Sequence, residues 1–110
     1  RFAQVMTNLL SNALRHTPAG GTITLAAGRE GGEAIITVTD TGEGMTPDQV
    51  QHAFERFYRG DSARTNDRRG SGIGLTISKA IIDAHHGDLT ASSPGPRRGS
   101  CFTISLPLVR

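Results

Sequence analysis

Three polar side chains near the start of the chain stand at positions that could share one task. Asn8, Asn12 and His16 follow one another at i, i+4 and i+8, and Arg15 adjoins the last of them. At about 100° per residue they line one flank of an apolar helical stripe made by Phe2, Val5, Met6, Leu9, Leu10, Ala13 and Leu14. An amide beside a buried face can reach into a cleft between its helix and a sheet. Its carbonyl oxygen is a hard donor suited to Mg²⁺, an ion that needs few protein ligands when phosphates supply the rest. The competing reading is that Asn, a poor helix former, is tolerated on a solvent face. Two such residues one turn apart weaken that alternative without removing it.

Three further segments carry chemical potential. In Asp40-Thr41-Gly42-Glu43-Gly44-Met45 a strand-like run ends in a carboxylate followed by two glycines. Such a carboxylate can accept a hydrogen bond from the exocyclic amine of adenine, with open backbone beside it. An ordinary Asp-Gly turn between strand and helix explains the same residues. In Gly70-Ser71-Gly72-Ile73-Gly74-Leu75 the glycines precede an apolar helix, so backbone N–H groups and the helix dipole can meet phosphate oxygens. The spacing is neither that of a dinucleotide fold nor that of a P-loop, and a hinge before a helix is the bland alternative. In Phe54-Glu55-Arg56-Phe57-Tyr58-Arg59 two Phe residues can anchor a loop base, and Arg59 can pair with a phosphate. A small hydrophobic cluster with surface arginines accounts for them equally well.

The periodicities define the elements that must hold these groups. Residues 2–15 read as an amphipathic helix, stopped by Thr17-Pro18 and Gly20-Gly21. Thr22 to Arg29 alternates as a strand with Ile23 and Leu25 on one face. Gly31-Gly32 is a hairpin turn, and Glu33 to Asp40 is the returning strand. Thr46 caps a short helix opened by Pro47, with Asp48 in its first turn. Residues 60–71 are polar, Arg-rich and aperiodic, and read as a flexible loop. Gly72 to His86 is a helix with Ile73, Ile77, Ile81 and Ile82 inward and Gly87 at its stop. Leu89 to Ser93 and Cys101 to Leu108 are strands joined by a loop over 94–99. The order α-β-β-α-loop-α-β-β predicts one α+β domain over 1–110, a two-layer α/β sandwich whose mixed, mostly antiparallel sheet carries three helices on one face. The first helix starts at the first residue without a cap, so the chain reads as cut inside an element, with preceding structure expected.

Composition narrows the classes. At 110 residues the chain suits one domain, with an aliphatic core, since Trp is absent and only five residues are aromatic. A formal charge of +2 does not argue for nucleic acid. The charge is unevenly spread: Arg56, Arg59, Arg64, Arg68 and Arg69 crowd one stretch. Cys101, the single cysteine, excludes an internal disulfide and reads as a core residue. No Cys/His cluster has zinc-ligand spacing, and no apolar run approaches the roughly 20 residues of a membrane span.

Taken together, Asn-Leu-Leu-Ser-Asn-Ala (8–13), Asp-Thr-Gly-Glu-Gly-Met (40–45), Phe-Glu-Arg-Phe-Tyr-Arg (54–59) and Gly-Ser-Gly-Ile-Gly-Leu (70–75) have the order and rough spacing of the N, G1, F and G2 boxes. The chain resembles the catalytic and ATP-binding domain of sensor histidine kinases, in the superfamily of the Bergerat fold that includes gyrase, the Hsp90 chaperones and MutL. The likeness covers nearly the whole chain and extends to Gly-Ser-Cys-Phe-Thr-Ile-Ser-Leu-Pro (99–107) as the last strand. It implies one or two missing strands before residue 1. It implies ATP and Mg²⁺ as cofactors, with Asn12 as the metal ligand and Asn8 a nearby phosphate-side group. By the same resemblance Asp40 reads the adenine amine, and Gly42 and Gly44 shape the pocket. Arg15 and His16 lie near phosphates and base, and Tyr58 and Arg59 flank the nucleotide. Residues 60–71 form an ATP lid hinged at Gly70, Gly72 and Gly74, with Ile73 and Leu75 in the same motif.

The hydrolases of that superfamily carry a Glu where this chain has Asn8. A neutral amide has no basicity with which to activate water. Transfer to an acceptor that is already nucleophilic, an imidazole nitrogen, is therefore expected, with Asn8, Asn12 and Arg59 acting by position and charge. The Arg15-His16-Thr17-Pro18 run differs from the family's acceptor motif in its spacing, so the acceptor histidine is expected on a separate dimerisation and phosphotransfer domain, with a response regulator downstream. The domain alone is expected to be a monomer, to bind no nucleic acid, and to be cytoplasmic, as part of a membrane-anchored sensor. A nucleotide-sensing module without transfer, or a serine kinase or ATPase on the same scaffold, is the alternative reading.

Overall fold

A computed structural model describes residues 2–55 and 74–108. Helix α1 spans Phe2–His16, strand β1 Ile23–Glu30, strand β2 Glu33–Asp40, helix α2 Pro47–Gln51, helix α3 Gly74–Ala84, strand β3 Asp88–Ser92 and strand β4 Ser100–Pro107. Every expected element within the described residues is present. The four strands form one sheet in the order β1-β2-β4-β3, and all three pairings are antiparallel. The last strand thus enters between the first hairpin and β3.

The register decides which side chains face the helices. Val38 opposes Phe102 and Ile36 opposes Ile104, while on the other side of β4 Ala91 and Leu89 oppose the same pair. Directly opposed residues share a face. That face is covered by α1, which packs on β2 and on α3, and by α3, which packs on β3. Val5, Leu9 and Ala13 from α1 and Ile81 and Ile82 from α3 complete a core with Val38, Leu89, Phe102 and Ile104. Each large aliphatic residue taken out of water there contributes about 1.5–3 kcal/mol.

Two inward faces differ from expectation. On α3, Ile77 is 39% exposed, whereas Ser78 is fully buried. Close approach of the two helices explains the exchange: Ser78 turns to α1 and receives a hydrogen bond from Asn8 Nδ2 at 3.1 Å. Ile77, one step of 100° away, is left at the surface. On β1, Leu25 is 54% exposed although its register opposite Val38 puts it on the helix side. β1 is an edge strand, and the helices are directed to β2 and β3. Leu14 and Phe2 are likewise exposed, which narrows the buried stripe of α1 to the Val5-Leu9-Ala13 line with Met6 and Leu10 beside it.

Helix ends show why the chain turns where it does. Thr46 caps α2 through a reciprocal capping box: its hydroxyl accepts from Gln49 N at 3.1 Å, and Gln49 Oε1 accepts from Thr46 N at 2.9 Å. At the end of α3 the left-handed residue is His86, with φ of 64°, not Gly87. Gly87 serves a different need: a side chain there would run into the Ser105 carbonyl and Leu106 of β4. Its N–H caps Ile82 O at 3.0 Å.

Candidate functional site

The polar flank of α1 is real and continuous. Asn8, Asn12, Arg15 and His16 are all half-buried, each Asn one position before a buried core residue, Leu9 or Ala13. The two ends of the flank are fastened to different parts of the molecule. Asn8 Nδ2 donates to Gly74 O at 3.2 Å and to Ser78 Oγ at 3.1 Å, tying α1 to the first turn of α3. Gly74 faces this amide, and a Cβ added there would lie 3.7 Å from Asn8 Cγ, in ordinary contact. Leu75, next along, is half-buried and packs against the core.

At the other end, His16 meets the loop that leaves β2. Its Nδ1 lies 3.0 Å from Glu43 Oε1, and its carbonyl accepts from Glu43 N at 3.0 Å. Between these fastenings, Asn12 makes no side-chain hydrogen bond among the described residues. The flank from residue 8 to residue 16 is about 12 Å long at 1.5 Å per residue.

Asp40 ends β2 and is only 4% exposed. Its position follows from the register: opposite Ser100, on the helix-covered face. Oδ1 accepts from Gly42 N at 2.9 Å, a local turn that fixes the carboxylate and leaves its second oxygen without a partner among the described residues. The loop after it is held by backbone. Thr41 N donates to Thr22 O at 3.1 Å, and Gly99 N donates to Gly42 O at 3.2 Å. Arg97 N donates to Glu43 O. Met45 N donates to Ser93 Oγ at 3.0 Å.

Gly42 and Gly44 therefore have a reason the sequence did not disclose. A side chain at Gly42 would collide with the His16 carbonyl, and one at Gly44, whose φ is 70°, with the Gly95 carbonyl. Both glycines let the loop dock between the end of α1 and the β3–β4 hairpin. Thr17, beside Gly42, has the one buried side-chain oxygen left without a partner among the described residues.

Tyr58, Arg59, Gly70, Gly72 and Ile73 lie outside the described residues. The flanks of that segment are joined: Thr76 Oγ1 donates to Phe54 O at 2.9 Å, and the Phe54 ring packs edge-on against Phe102, centroids 6.1 Å apart. The structure thus brings the Asn8–His16 flank, the Asp40–Gly44 loop and Gly74 into one assembly. Ser78, Thr76 and Ser93, which hold it together, were missed. Isolated hydroxyls on a helix or before a proline carry no spacing signal of their own.

The donor set can be tested against a divalent ion. Among the described residues no group of three His, Cys, Asp or Glu side chains could hold a metal. A protein-only cage is thus absent there. A single unengaged, half-buried amide oxygen on Asn12 fits an ion that draws its remaining ligands from phosphates and water.

Comparison with known proteins gives the same direction. Residues 1–110 match the family model described as histidine kinase-, DNA gyrase B- and HSP90-like ATPase. The chain is 44% identical over 105 residues to the sensor histidine kinase RppB of Synechocystis sp., covering 96% of this chain and 23% of that protein. It therefore spans about a quarter of that relative's length. The mycobacterial sensor histidine kinase MprB superposes with a TM-score of 0.82 at 33% identity, covering 94% of this chain and 70% of MprB. Full-length ShkA in complex with AMPPNP superposes with a TM-score of 0.78 at 30% identity, covering 94% of this chain and 20% of ShkA. The chain belongs to the histidine kinase-, DNA gyrase B- and HSP90-like ATPases, and within them it is the ATPase-type domain found in sensor histidine kinases.

Proposed function

We propose that this chain binds Mg-ATP along the Asn8–His16 flank and donates the γ-phosphate to a histidine on a separate dimerisation and phosphotransfer domain, with a response regulator receiving it downstream. The observation that carries the reading is the flank itself. One end is tied to Gly74 and the other to the Asp40–Gly44 loop, so base and triphosphate can lie along one helix. That the chain's neighbour ShkA was crystallised with an ATP analogue supports it.

In this reading the unpartnered oxygen of Asp40 accepts from the purine amine, and the buried turn to Gly42 keeps that oxygen aimed. Arg15 and His16 lie along the nucleotide, Gly70, Gly72 and Gly74 present backbone N–H groups to phosphate, and Tyr58 and Arg59 flank the nucleotide. Asn12 would hold Mg²⁺, which when bound supplies neutralisation of the charge on the phosphate oxygens. Asn8 leaves water unactivated: it is an amide, and its N–H groups are already spent on Gly74 and Ser78. What remains for the protein is to orient the terminal phosphate for in-line attack by the partner's imidazole, and to exclude water while it does so. The working compartment is the cytoplasm, with the domain itself monomeric and making no use of nucleic acid.

Calorimetric titration of the chain with ATP, with and without Mg²⁺, tests the site. Asp40→Asn keeps the oxygen that accepts from Gly42 and turns the purine-facing atom into a donor. Affinity is expected to fall on the order of tenfold to a hundredfold, since hydrogen bonds to charged groups contribute about 1.5–3 kcal/mol. Binding unaffected by both Asp40→Asn and Mg²⁺ removal would overturn the assignment. Mixing with a purified acceptor-helix domain then separates a kinase, which forms acid-labile phosphohistidine, from a module that only binds.

A further inference from the structure

One side chain outside every motif sits where three segments meet. Ser93 follows β3 and opens the hairpin loop 93–99. Its Oγ accepts from Met45 N at 3.0 Å and from Gly95 N at 3.2 Å. The same oxygen lies 2.7 Å from Gly99 O and 3.2 Å from Gly95 O, and it donates to the nearer, Gly99. A hydroxyl offers one proton and two lone pairs, so its capacity is filled. The hairpin it closes then makes three backbone contacts with the loop after β2: Gly99 N to Gly42 O, Arg97 N to Glu43 O, and Gly95 against Gly44. Gly99 also abuts Asp40, because a side chain there would strike the Asp40 carbonyl.

We infer that Ser93 is a positioning residue for nucleotide binding: by fastening the 93–99 hairpin to Met45, it fixes residues 42–45 against the end of α1 without touching the nucleotide. The inference rests on the reading that the base lies beside Asp40. The loop has no regular structure of its own. Its course is set from one side by His16 and from the other by the hairpin, which is closed by one backbone bond, Arg98 N to Gly95 O, and by the one hydroxyl that both its ends share. Without it, Met45 N loses its partner and the loop can drift from the geometry that Asp40 and Gly42 present.

The test compares the native chain with Ser93→Ala, Ser93→Thr and Asp40→Asn. Mg-ATP and Mg-GTP affinities are measured well below the melting temperature, and melting curves are recorded without nucleotide. Ser93→Ala is expected to weaken ATP binding on the order of tenfold, the scale of one or two lost hydrogen bonds. Its ATP-to-GTP preference should persist, because Asp40 is intact. Ser93→Thr, which keeps the hydroxyl, should recover most of the affinity, and Asp40→Asn should lose the preference. Should Ser93→Ala fail to melt cooperatively, Ser93→Cys keeps the volume, weakens each bond, and takes its place with the same expectation. Ser93 is merely structural if the Ala or Cys variant melts lower yet binds ATP as tightly as the native chain, or if the folded Thr variant binds no better than Ala. A native chain that binds no Mg-ATP would instead overturn the base-site reading, and this inference with it.

Discussion

His86 and Gly87 divide a task that a helix end usually gives to one residue. The left-handed position falls on His86, and the glycine is spent on the close approach to Ser105 of β4. A non-glycine residue in that conformation costs roughly 1–2 kcal/mol. His86→Gly is therefore expected to raise the stability of the chain by about 0.5–1 kcal/mol, after allowing for the extra freedom glycine gains when unfolded. Gly87→Ala is expected to lower it by more than that, through the clash. Denaturant midpoints at unchanged slope measure both. The pair also shows what a sequence conceals at this scale. Gly87 after a helical run predicts the correct stop for the wrong reason, since a glycine needed for φ and one needed for space look alike until the neighbouring strand is placed. Gly42 and Gly44 repeat the lesson: their types were legible, but the carbonyls of His16 and Gly95 that require them come from distant segments. Asp40 was more legible, because strand alternation put it at a strand end and the register then buried it.

Among the elements, α1 and α3 are joined at two levels, an aliphatic seam and the bridge from Asn8 to Gly74 and Ser78. Asn8→Ala removes both hydrogen bonds and leaves the Ser78 hydroxyl, which is fully buried, without a donor. A loss of about 1–3 kcal/mol is expected in thermal or denaturant unfolding. Asn8→Glu would lose as much, because a carboxylate cannot donate to the Gly74 carbonyl. Period and spacing made the α1 flank legible. The inward choice of Ser78 over Ile77 was not, because helical periodicity alone favours the apolar residue and the deciding partner is 70 positions away. Sheet order was equally out of reach, since nothing local tells β4 to insert between β2 and β3.

The end of α2 adds a titratable element. His52 Nδ1 lies 2.9 Å from Glu55 Oε2 and Nε2 lies 3.5 Å from Asp48 Oδ1. The hydrogen bond to Glu55 raises the His52 pKa above its ordinary 6.5; partial desolvation opposes it, and the charges of Glu55 and Asp48 add to it. A folded pKa above the unfolded one means that the stabilisation is complete below pH 6.5 and disappears as pH rises through the folded value. His52→Gln should therefore lower the melting temperature at pH 5.5–6 and have a diminishing effect as the pH is raised through the folded pKa. An equal effect on both sides of that pKa would show that the imidazole acts by packing alone.

For the molecule as a whole, the question is whether the domain can phosphorylate itself. Its four histidines occupy defined places. His16 is held by Glu43 and His52 by Asp48 and Glu55, His85 Nδ1 faces Ile81 O at 2.8 Å, and His86 turns the chain out of α3. His16 alone lies on the candidate site, at the end where the base is proposed to lie. About 12 Å of helix separates it from Asn8, where the terminal phosphate is proposed to sit beside Gly74. In-line transfer needs the reacting atoms within about 3–3.5 Å. Rotation of one side chain does not span that gap, and moving the helix end would break the Glu43 and Gly42 contacts that shape the proposed base pocket. The chain also spans only 23% of RppB, which leaves ample length elsewhere in such a relative for an acceptor. Incubated alone with γ-labelled Mg-ATP, the chain is expected to bind nucleotide and remain unlabelled, and addition of an acceptor-helix domain should produce an acid-labile label on that domain. A label on His16 of the isolated chain would mean that the triphosphate runs along α1 in the opposite direction, with its terminal phosphate at Glu43 and its base at Gly74.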